Sequence, residues 1–578
     1  MKIVKLNESE ATEFLSRALF FVIDLETTGL NPRKDTITDT MVMLYGDTTV
    51  YSLPSPQCLR ALPPAAALIG QNLKFDLHFL YVAGVDLRHL FWLDTMLIDH
   101  LIDENAEHGL GPQVLRHFGD NYKDEFWTKY PDINDAPEEA RMEYAAKDVW
   151  YTSQLYKIQS MNVSGRMIDH VHRLARTLLD TEISGLAIDM PYLMEKGITL
   201  KSQLDDYAPK MAECVATEIL MVELDKWTIE LSKRKTPKGK AGVKKPTFSF
   251  GSQKDLVALL YDKLGLPPQK NQKTKAVSTD YDALQALREQ HPLIPLLQDY
   301  RDWTKVYTAY IEGTLERQEA GRIFPSFSLT GTKTGRISHS NPNMAQLPSS
   351  GGIRGIYVPD PGYSFVSLDY SQLEVVILAT LSKDPALNKM LTEGLSQHDI
   401  TADGLKIPRP QAKQLNFAMS YRCSPFKVAQ LLNVSKGEAE HIWNKYWEVY
   451  SGIKALMDVT DGMVDRGEPI INCFGRKRHF GRVKDKWEKE RQKRQAFNAL
   501  IQGTGSDITS EALYTADARL GGRGRALFSI HDELLLSVKT EHAVECEQMA
   551  KDTMSEVGRK WGFDLKAQGS GAMARWEE

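Results

Sequence analysis

The stretch FVIDLETTGL, residues 21–30, begins with three apolar, β-favouring residues, Phe21, Val22 and Ile23. Two carboxylates follow with a single leucine between them, Asp24 and Glu26. Side chains on a strand alternate faces, so Asp24 and Glu26 point the same way. Like charges side by side next to a buried apolar run repel each other unless a cation neutralises them. The pair therefore calls for partners elsewhere in the chain.

Three downstream segments are candidates. GQNLKFDLHFL carries Asp76 after Asn72 and Phe75. WLDTMLIDHLID sets Asp94 ahead of a helical apolar stretch. RMEYAAKDVWYT spaces Tyr144 and Asp148 four apart, on one face of a helix. Convergence of Asp24, Glu26, Asp76 and Asp148 would hold two hard divalent cations through oxygen ligands. Two such ions roughly 3.5–4 Å apart activate a water and stabilise the leaving oxygen of a phosphodiester. Tyr144 is the candidate to hold that water. In this order the segments resemble the three motifs of the DEDDy 3′–5′ exonucleases. The resemblance covers roughly residues 18–160 and implies an RNase H-like α/β fold.

The second half has its own acids. SFVSLDYSQLEVVIL puts Asp369 at the end of an apolar strand, and SIHDELLL sets Asp532 and Glu533 in a buried-looking strand composition. Between them, RPQAKQLNFAMSY spaces Arg409, Lys413, Phe417 and Tyr421 by four residues. On a helix this spacing makes one slowly drifting stripe. Two cations followed by two aromatics suit one ligand, a triphosphate at one end and a stacked base at the other.

These three segments resemble motifs A, C and B of the family A (Pol I-like) DNA polymerases. The resemblance extends through TGRISHSNPNMAQLP, GIRGIY and FNALIQGTGSD. It implies a right-hand polymerase domain following the exonuclease domain. Asp369 and Asp532 would hold two Mg²⁺ ions, with Mn²⁺ able to substitute, and Tyr370 would add its backbone carbonyl. Arg409 and Lys413 would meet the phosphates, with Lys413 as general acid for the pyrophosphate. Phe417 would pack on the deoxyribose, Tyr421 near the template base, and Glu374 would close the sugar pocket. Arg336, Arg354, Arg494, Asn498, Gln502 and His531 would contact primer–template DNA. Expected boundaries are 1–160 for the exonuclease and 161–578 for the polymerase. Within the latter the thumb is about 190–320, the palm about 322–385 and 465–578, and the fingers about 386–464.

Charge distribution agrees with a polyanionic partner. The net charge is only −5, but residues 233–245 carry seven Lys/Arg and no acid. Residues 476–494 carry ten against three. Because the second stretch leads into Asn498 and Gln502, it is expected to face DNA. Five scattered cysteines show no CxxC pair to suggest zinc, and their odd number without a secretory signal argues against a disulfide framework. The N-terminus lacks a secretory or transit signal and no apolar run spans a bilayer, so a monomeric cytoplasmic protein with no membrane partner is expected. The exonuclease strand begins about twenty residues in, so no preceding 5′-nuclease domain is expected. That layout resembles phage replicative enzymes and implies the host cytoplasm. Helicase or processivity partners are left unnamed.

Three positions depart from the family pattern. Val376 stands where an arginine is usual, Arg422 where a glycine is usual, and Thr401 where a histidine is usual, with His398 the candidate substitute just ahead of Asp399. The rival reading is an exonuclease whose polymerase half is a DNA-binding scaffold. Intact Asp369, Lys413 and Asp532 argue against it, and Glu374 with the exonuclease set argues against a single-subunit RNA polymerase.

Overall fold

Apolar alternation in the first 100 residues builds a mixed six-stranded sheet in the computed structural model, which describes residues 1–233, 246–271, 274–420 and 422–577. Tyr421 and nearly all of the 233–245 basic stretch lie outside the described residues. The strands are β1 (Lys2–Lys5), β2 (Phe20–Thr27), β3 (Ile37–Leu44), β4 (Thr49–Ser52), β5 (Ala67–Gly70) and β6 (Phe91–Asp94), in the order β1-β4-β3-β2-β5-β6. The helices on or beside it include α1 (Leu73–Val82), α2 (Thr95–Ile102), α3 (Tyr122–Lys129) and α4 (Glu138–Gln159). Val22 joins Met41, Met43 and Ile69 with Ala145, Ala146 and Val149 of α4 in one core. Asp24 and Glu26 continue the face of Val22 beyond that core, so the strand's own period carries them under α4.

Helix α5 (Gly165–Ser184) starts where the Ser164 side chain accepts the Met167 N–H, and ends at Gly185, φ 62°. It is buried toward the exonuclease sheet and toward the polymerase half alike. His172 accepts the Asp94 N–H at 2.6 Å, while the Thr181 hydroxyl donates to Leu527 O at 2.7 Å. Met1–Gly185, Phe324–Ala345 and Pro359–Ala574 accordingly form one compact unit. The expected break at residue 160 falls inside that unit.

The polymerase half is built on the four-stranded antiparallel sheet β8-β9-β7-β10, with β7 (Tyr363–Tyr370), β8 (Gly524–Ile530), β9 (Glu533–Lys539) and β10 (Ala567–Gly569). Its helices include α6 (Leu373–Ser382), α7 (Arg409–Ser420), α8 (Lys486–Leu520) and α9 (Ala543–Lys560). FSIHDELLLSV is two strands joined at His531–Asp532, with His531 at φ 55°. Asp532 is thus half-exposed in the turn and Glu533 half-exposed at the first position of β9, neither of them buried in mid-strand. The reason is local: the polar His-Asp pair interrupts the apolar run and tolerates a tight reversal. On α8, Gly505 lets α6 approach closely, since a Cβ there would lie 3.2 Å from Leu373 Cδ2. Leu415 and Met419 of α7 are buried with Tyr446, Trp447 and Tyr450 in a separate core.

The second unit comprises Leu186–Ile323, Gln346–Val358 and Arg575–Glu578. A long helix, Met190–Ser232, bends at Val215 and packs Met211 and Val222 with Leu259, Leu293 and Leu297. Residues 346–358 and 575–578, expected in the palm, belong to this unit. Tyr357 pairs with Ile188 in a three-stranded sheet, and the Trp576 N–H donates to Tyr357 O at 3.1 Å.

Candidate active sites

The first centre forms where β2, α1, α3 and α4 meet. Carboxylate oxygens of Asp24, Glu26 and Asp148 all lie within 4.8 Å of one another. Asp76 is buried on α1 and accepts the Leu25 N–H at 3.1 Å, so it braces the strand between the two β2 acids. Burial, and after it the charges of Asp148, Asp76 and Glu26, raises the pKa of Asp24. Burial, then Asp148, pushes Glu26 up to about 8. Burial also raises Asp76 well above the usual carboxylate range. Acids so strongly disfavoured as anions, with all-oxygen donors converging, fit a hard divalent cation.

Three residues of this centre escaped the sequence reading, and all stand on α3. Lys123 Nζ donates to Asp148 and, at 2.8 Å, to the Tyr144 hydroxyl. Trp127 donates its indole N–H to the same hydroxyl at 3.3 Å. The Tyr122 hydroxyl donates to Asp148. Burial works against the Lys123 ammonium, but Asp148 and Tyr144 outweigh it and keep its pKa above the ordinary value. YKDEFW reads as a surface helix, and nothing in its spacing signals that one face turns inward. Asp94, in contrast, accepts the Asn72, Leu73 and Met96 N–H groups and holds the starts of α1 and α2.

The second centre lies at one end of the polymerase sheet. Asp369 is the penultimate residue of β7, and Asp532 sits in the β8–β9 turn. The Tyr370 N–H donates to Asp532 O at 3.3 Å, which sets the two acids side by side. Burial, then the neighbouring Asp532 and Glu533, pushes Asp369 up to about 6. Glu533 accepts from Ser367 at 2.5 Å. The Tyr370 ring is buried, and its hydroxyl donates to Met554 O at 2.9 Å, anchoring the strand end on α9.

Helix α7 exposes Arg409, Lys413 and Phe417 along one side, while Ala412, Leu415 and Met419 face inward. Phe417 is 69% exposed, a large apolar ring held toward solvent. Arg409 donates to Asp399 at 2.6 Å. Arg336 and Glu374, assigned to different ligands by the sequence, pair with each other at 2.9 Å. Arg494, Asn498 and His531 are exposed, and Gln502 is half-buried. Arg354 lies in the second unit, its guanidinium 5.1 Å from the Trp576 ring centroid.

The expectation that the whole 476–494 stretch faces DNA needs correction. Five of its cations, Arg476, Arg478, Lys489, Arg491 and Lys493, pair with carboxylates of this chain. Arg476 reaches Asp507, which is completely buried, and Arg478 reaches buried Glu104. Arg476 and Arg478 satisfy acids that α8 and the exonuclease region would otherwise leave unpaired in the interior, whereas Lys489, Arg491 and Lys493 pair with exposed Asp465 and half-exposed Glu488. Composition counts charges but cannot tell which way they turn.

Two sequence families match the chain. The pattern of DNA polymerase family A matches residues 223–578. The chain belongs to DNA polymerase family A. The pattern of 3′–5′ exonucleases matches residues 6–161. DNA polymerase I, thermostable, of Thermus aquaticus is 29% identical over 88% of this chain and 58% of its own length. DNA polymerase I of Chloroflexus aurantiacus is 26% identical over 94% of this chain and 60% of its own. DNA polymerase I of Caldicellulosiruptor bescii is 33% identical over 54% of this chain and 39% of its own. The chain thus spans well under two thirds of these bacterial relatives. In fold it resembles the polymerase domain of Pol1 from M. smegmatis, solved with DNA primer-template and dNTP, with TM-score 0.80, 21% identity, and coverage of 100% of this chain and 99% of that one. Among the described residues, no helix is long and apolar enough to cross a membrane.

Arg422 and Thr401, two of the three departures from the family pattern, have local explanations. Arg422 adopts φ 55°, a conformation that suits glycine and costs an arginine roughly 1–2 kcal/mol. It is held there by two bonds to Asp461, at 2.9 and 2.7 Å. Thr401 is completely buried, and its hydroxyl bonds Asn416 at 2.8 Å and Tyr450 at 2.7 Å. It ties α7 to the core around Tyr446, Trp447 and Tyr450, and its buried hydroxyl is turned away from any ligand. His398 Nδ1 lies 3.1 Å from Asn416 Nδ2. Val376 is buried on α6.

Proposed function

We propose that the chain is a template-directed DNA polymerase that extends a primer 3′ end with dNTPs, releases pyrophosphate, and proofreads with a 3′–5′ exonuclease. The observation that carries this reading is the presence of two separate carboxylate centres, each at the end of a sheet strand, in a chain of family A. Asp369 and Asp532 would hold Mg²⁺ or Mn²⁺ at one centre, and Asp24, Glu26, Asp76 and Asp148 at the other. The bound ions supply Lewis-acid chemistry, making the attacking oxygen more acidic and neutralising the leaving one.

The remaining work falls to side chains. On α7, Lys413 and Arg409 meet the triphosphate, and Lys413 gives a proton to the departing pyrophosphate. Arg409 must first leave Asp399, and Glu374 must leave Arg336, so nucleotide and primer–template binding exchange internal pairs for external ones. Phe417 packs on the sugar and Tyr421 stacks near the template base. Tyr370 holds the strand beneath Asp369. Arg336, Arg354, Arg494, Asn498, Gln502 and His531 grip the duplex through backbone and minor groove, which sense shape and not sequence. At the exonuclease centre, Tyr144 orients the attacking water. The domain boundaries belong to the same proposal: exonuclease to about 160, then thumb, palm and fingers. So do a monomeric state, a cytoplasmic location and a phage replicative origin, the last of which the bacterial relatives do not carry.

The test is a labelled primer on a longer template with Mg²⁺, with and without dNTPs. Extension with dNTPs and shortening without them are expected. Asp24→Ala with Glu26→Ala should abolish shortening and spare extension, and Asp369→Ala or Asp532→Ala should do the reverse. Loss of both activities from either change, in a folded protein, would refute the two-centre reading. Shortening alone from the unsubstituted chain would favour the scaffold alternative.

A further inference from the structure

The exonuclease centre contains a cation of its own. Lys123 is only 22% exposed, and its partner Asp148 only 6%. Its Nζ donates to Asp148 and to the Tyr144 hydroxyl, and lies 4.7 Å from the Tyr144 ring centroid. Its charge also acts on Asp24 and Glu26, opposing the effect of burial on both. Trp127, one turn along α3, donates to the same tyrosine oxygen.

We propose that Lys123 is a positioning residue with two tasks: it balances the carboxylates when no divalent cation is bound, and it fixes the direction of the Tyr144 hydroxyl. The inference rests on the exonuclease reading above.

The first task follows from competition for one ligand. A divalent cation at this centre needs Asp148, and so does the ammonium. Loading the site must therefore displace Lys123 from a carboxylate or accept a positive charge nearby, and either weakens cation binding. A lysine serving only as a surface ion-pair partner would be mobile and wet, which its burial contradicts.

The second task follows from counting. A tyrosine oxygen has two lone pairs and one proton. Lys123 and Trp127 occupy both lone pairs, so the proton is left to donate outward. An outward donor suits an oxygen held in front of it, either the attacking water or a phosphate oxygen. Lys123 has three N–H groups, so one remains for a phosphate oxygen even while the other two are engaged.

The experiment uses the full chain and Mn²⁺ as probe. Asp369→Ala and Asp532→Ala in the same molecule remove the polymerase centre, and the loss of free-Mn²⁺ electron-resonance signal that disappears when Asp24→Ala and Glu26→Ala are added reports the exonuclease centre apart from the Asp103, Glu104 and His479 cluster. In that background Lys123→Met should bind Mn²⁺ at least about tenfold more tightly, since a full charge is removed a few ångströms away. Lys123→Arg, which keeps the charge, should stay within about threefold. The metal-free unfolding midpoint should fall in Lys123→Met and recover with Mn²⁺. With the polymerase centre intact, Lys123→Met should shorten primers at least about tenfold more slowly at saturating Mn²⁺, while its retained primer extension shows that it folds. Lys123→Gln repeats the series with a polar side chain. Mn²⁺ affinity in Lys123→Met that is unchanged, or weaker, overturns the proposal even if the unsubstituted chain degrades primers. If the unsubstituted chain does not shorten primers, the exonuclease reading fails first.

Discussion

Glutamine at position 26 should stabilise the protein while disabling its exonuclease centre. The Glu26 carboxyl is held at about 8 against an ordinary 4.5, first by burial and then by Asp148. The native state therefore keeps a proton that the unfolded chain gives up, and stability falls as pH rises from 4.5 to 8. One pKa unit corresponds to ~1.4 kcal/mol, so the full gap would cost ~5 kcal/mol at high pH. Glu26 is partly open to solvent at the end of β2, and screening reduces that to roughly 2 kcal/mol. Glu26→Gln keeps the shape and removes the charge. In EDTA at pH 9 its unfolding midpoint should exceed that of the unsubstituted chain by roughly 2–8 °C. At pH 5 the difference should nearly vanish, because Glu26 is then protonated in the native state. Saturating Mg²⁺ or Mn²⁺ should erase or reverse the pH 9 difference, since the ion supplies the missing counter-charge only where the carboxylate is present. Calorimetry of both proteins under these three conditions provides the check. A midpoint equal to or below that of the unsubstituted chain at pH 9 in EDTA would refute the claim that these acids are held against their charge.

Other expectations follow from particular contacts. Asp507 is completely buried and accepts from Arg476 at 2.6 Å and Asn472 at 2.7 Å, with His170 Nε2 at 3.2 Å. Asp507→Asn strands the Arg476 charge and should cost roughly 3–5 kcal/mol in urea denaturation at pH 8, with a loss under ~1 kcal/mol contradicting this. These partners hold the Asp507 carboxyl below the ordinary range despite its burial, so its contribution is complete above about pH 4 and is lost only as pH falls further. His172 donates through Nδ1 to Ile168 O and accepts through Nε2 from Asp94, and burial lowers it to about 4. The unfolded chain binds the extra proton between pH 6.5 and 4, so ~3 kcal/mol of stability should disappear across that window on acidification. His172→Gln should flatten that slope in a pH series of unfolding midpoints. Phe417 has no hydroxyl to replace a missing 3′-OH contact, so dideoxynucleotides should terminate synthesis poorly, and Phe417→Tyr should make them efficient terminators in a primer-extension ladder.

What the sequence determined by itself was the chemistry and its order. Strand period alone put Asp24 and Glu26 on one face, and helix period put Tyr144 beside Asp148 and Arg409 beside Lys413 and Phe417. These are short-range consequences of backbone geometry, so they can be read without knowing the fold. Tertiary structure decided which charges have partners. Lys123 and Trp127 belong to the exonuclease centre only because α3 lies against α4, and no local pattern encodes that contact. The basic run 476–494 looked like a single DNA-facing surface, yet Arg476 and Arg478 turn inward to buried Asp507 and Glu104, which are distant in sequence. Residues 346–358 join the second unit through a strand pairing with Leu186–Ile188, a register set across more than 150 residues. Periodicity reports which side of an element a residue occupies. What that side meets is settled only when burying an unpaired charge or an open strand edge costs more than any local preference can repay.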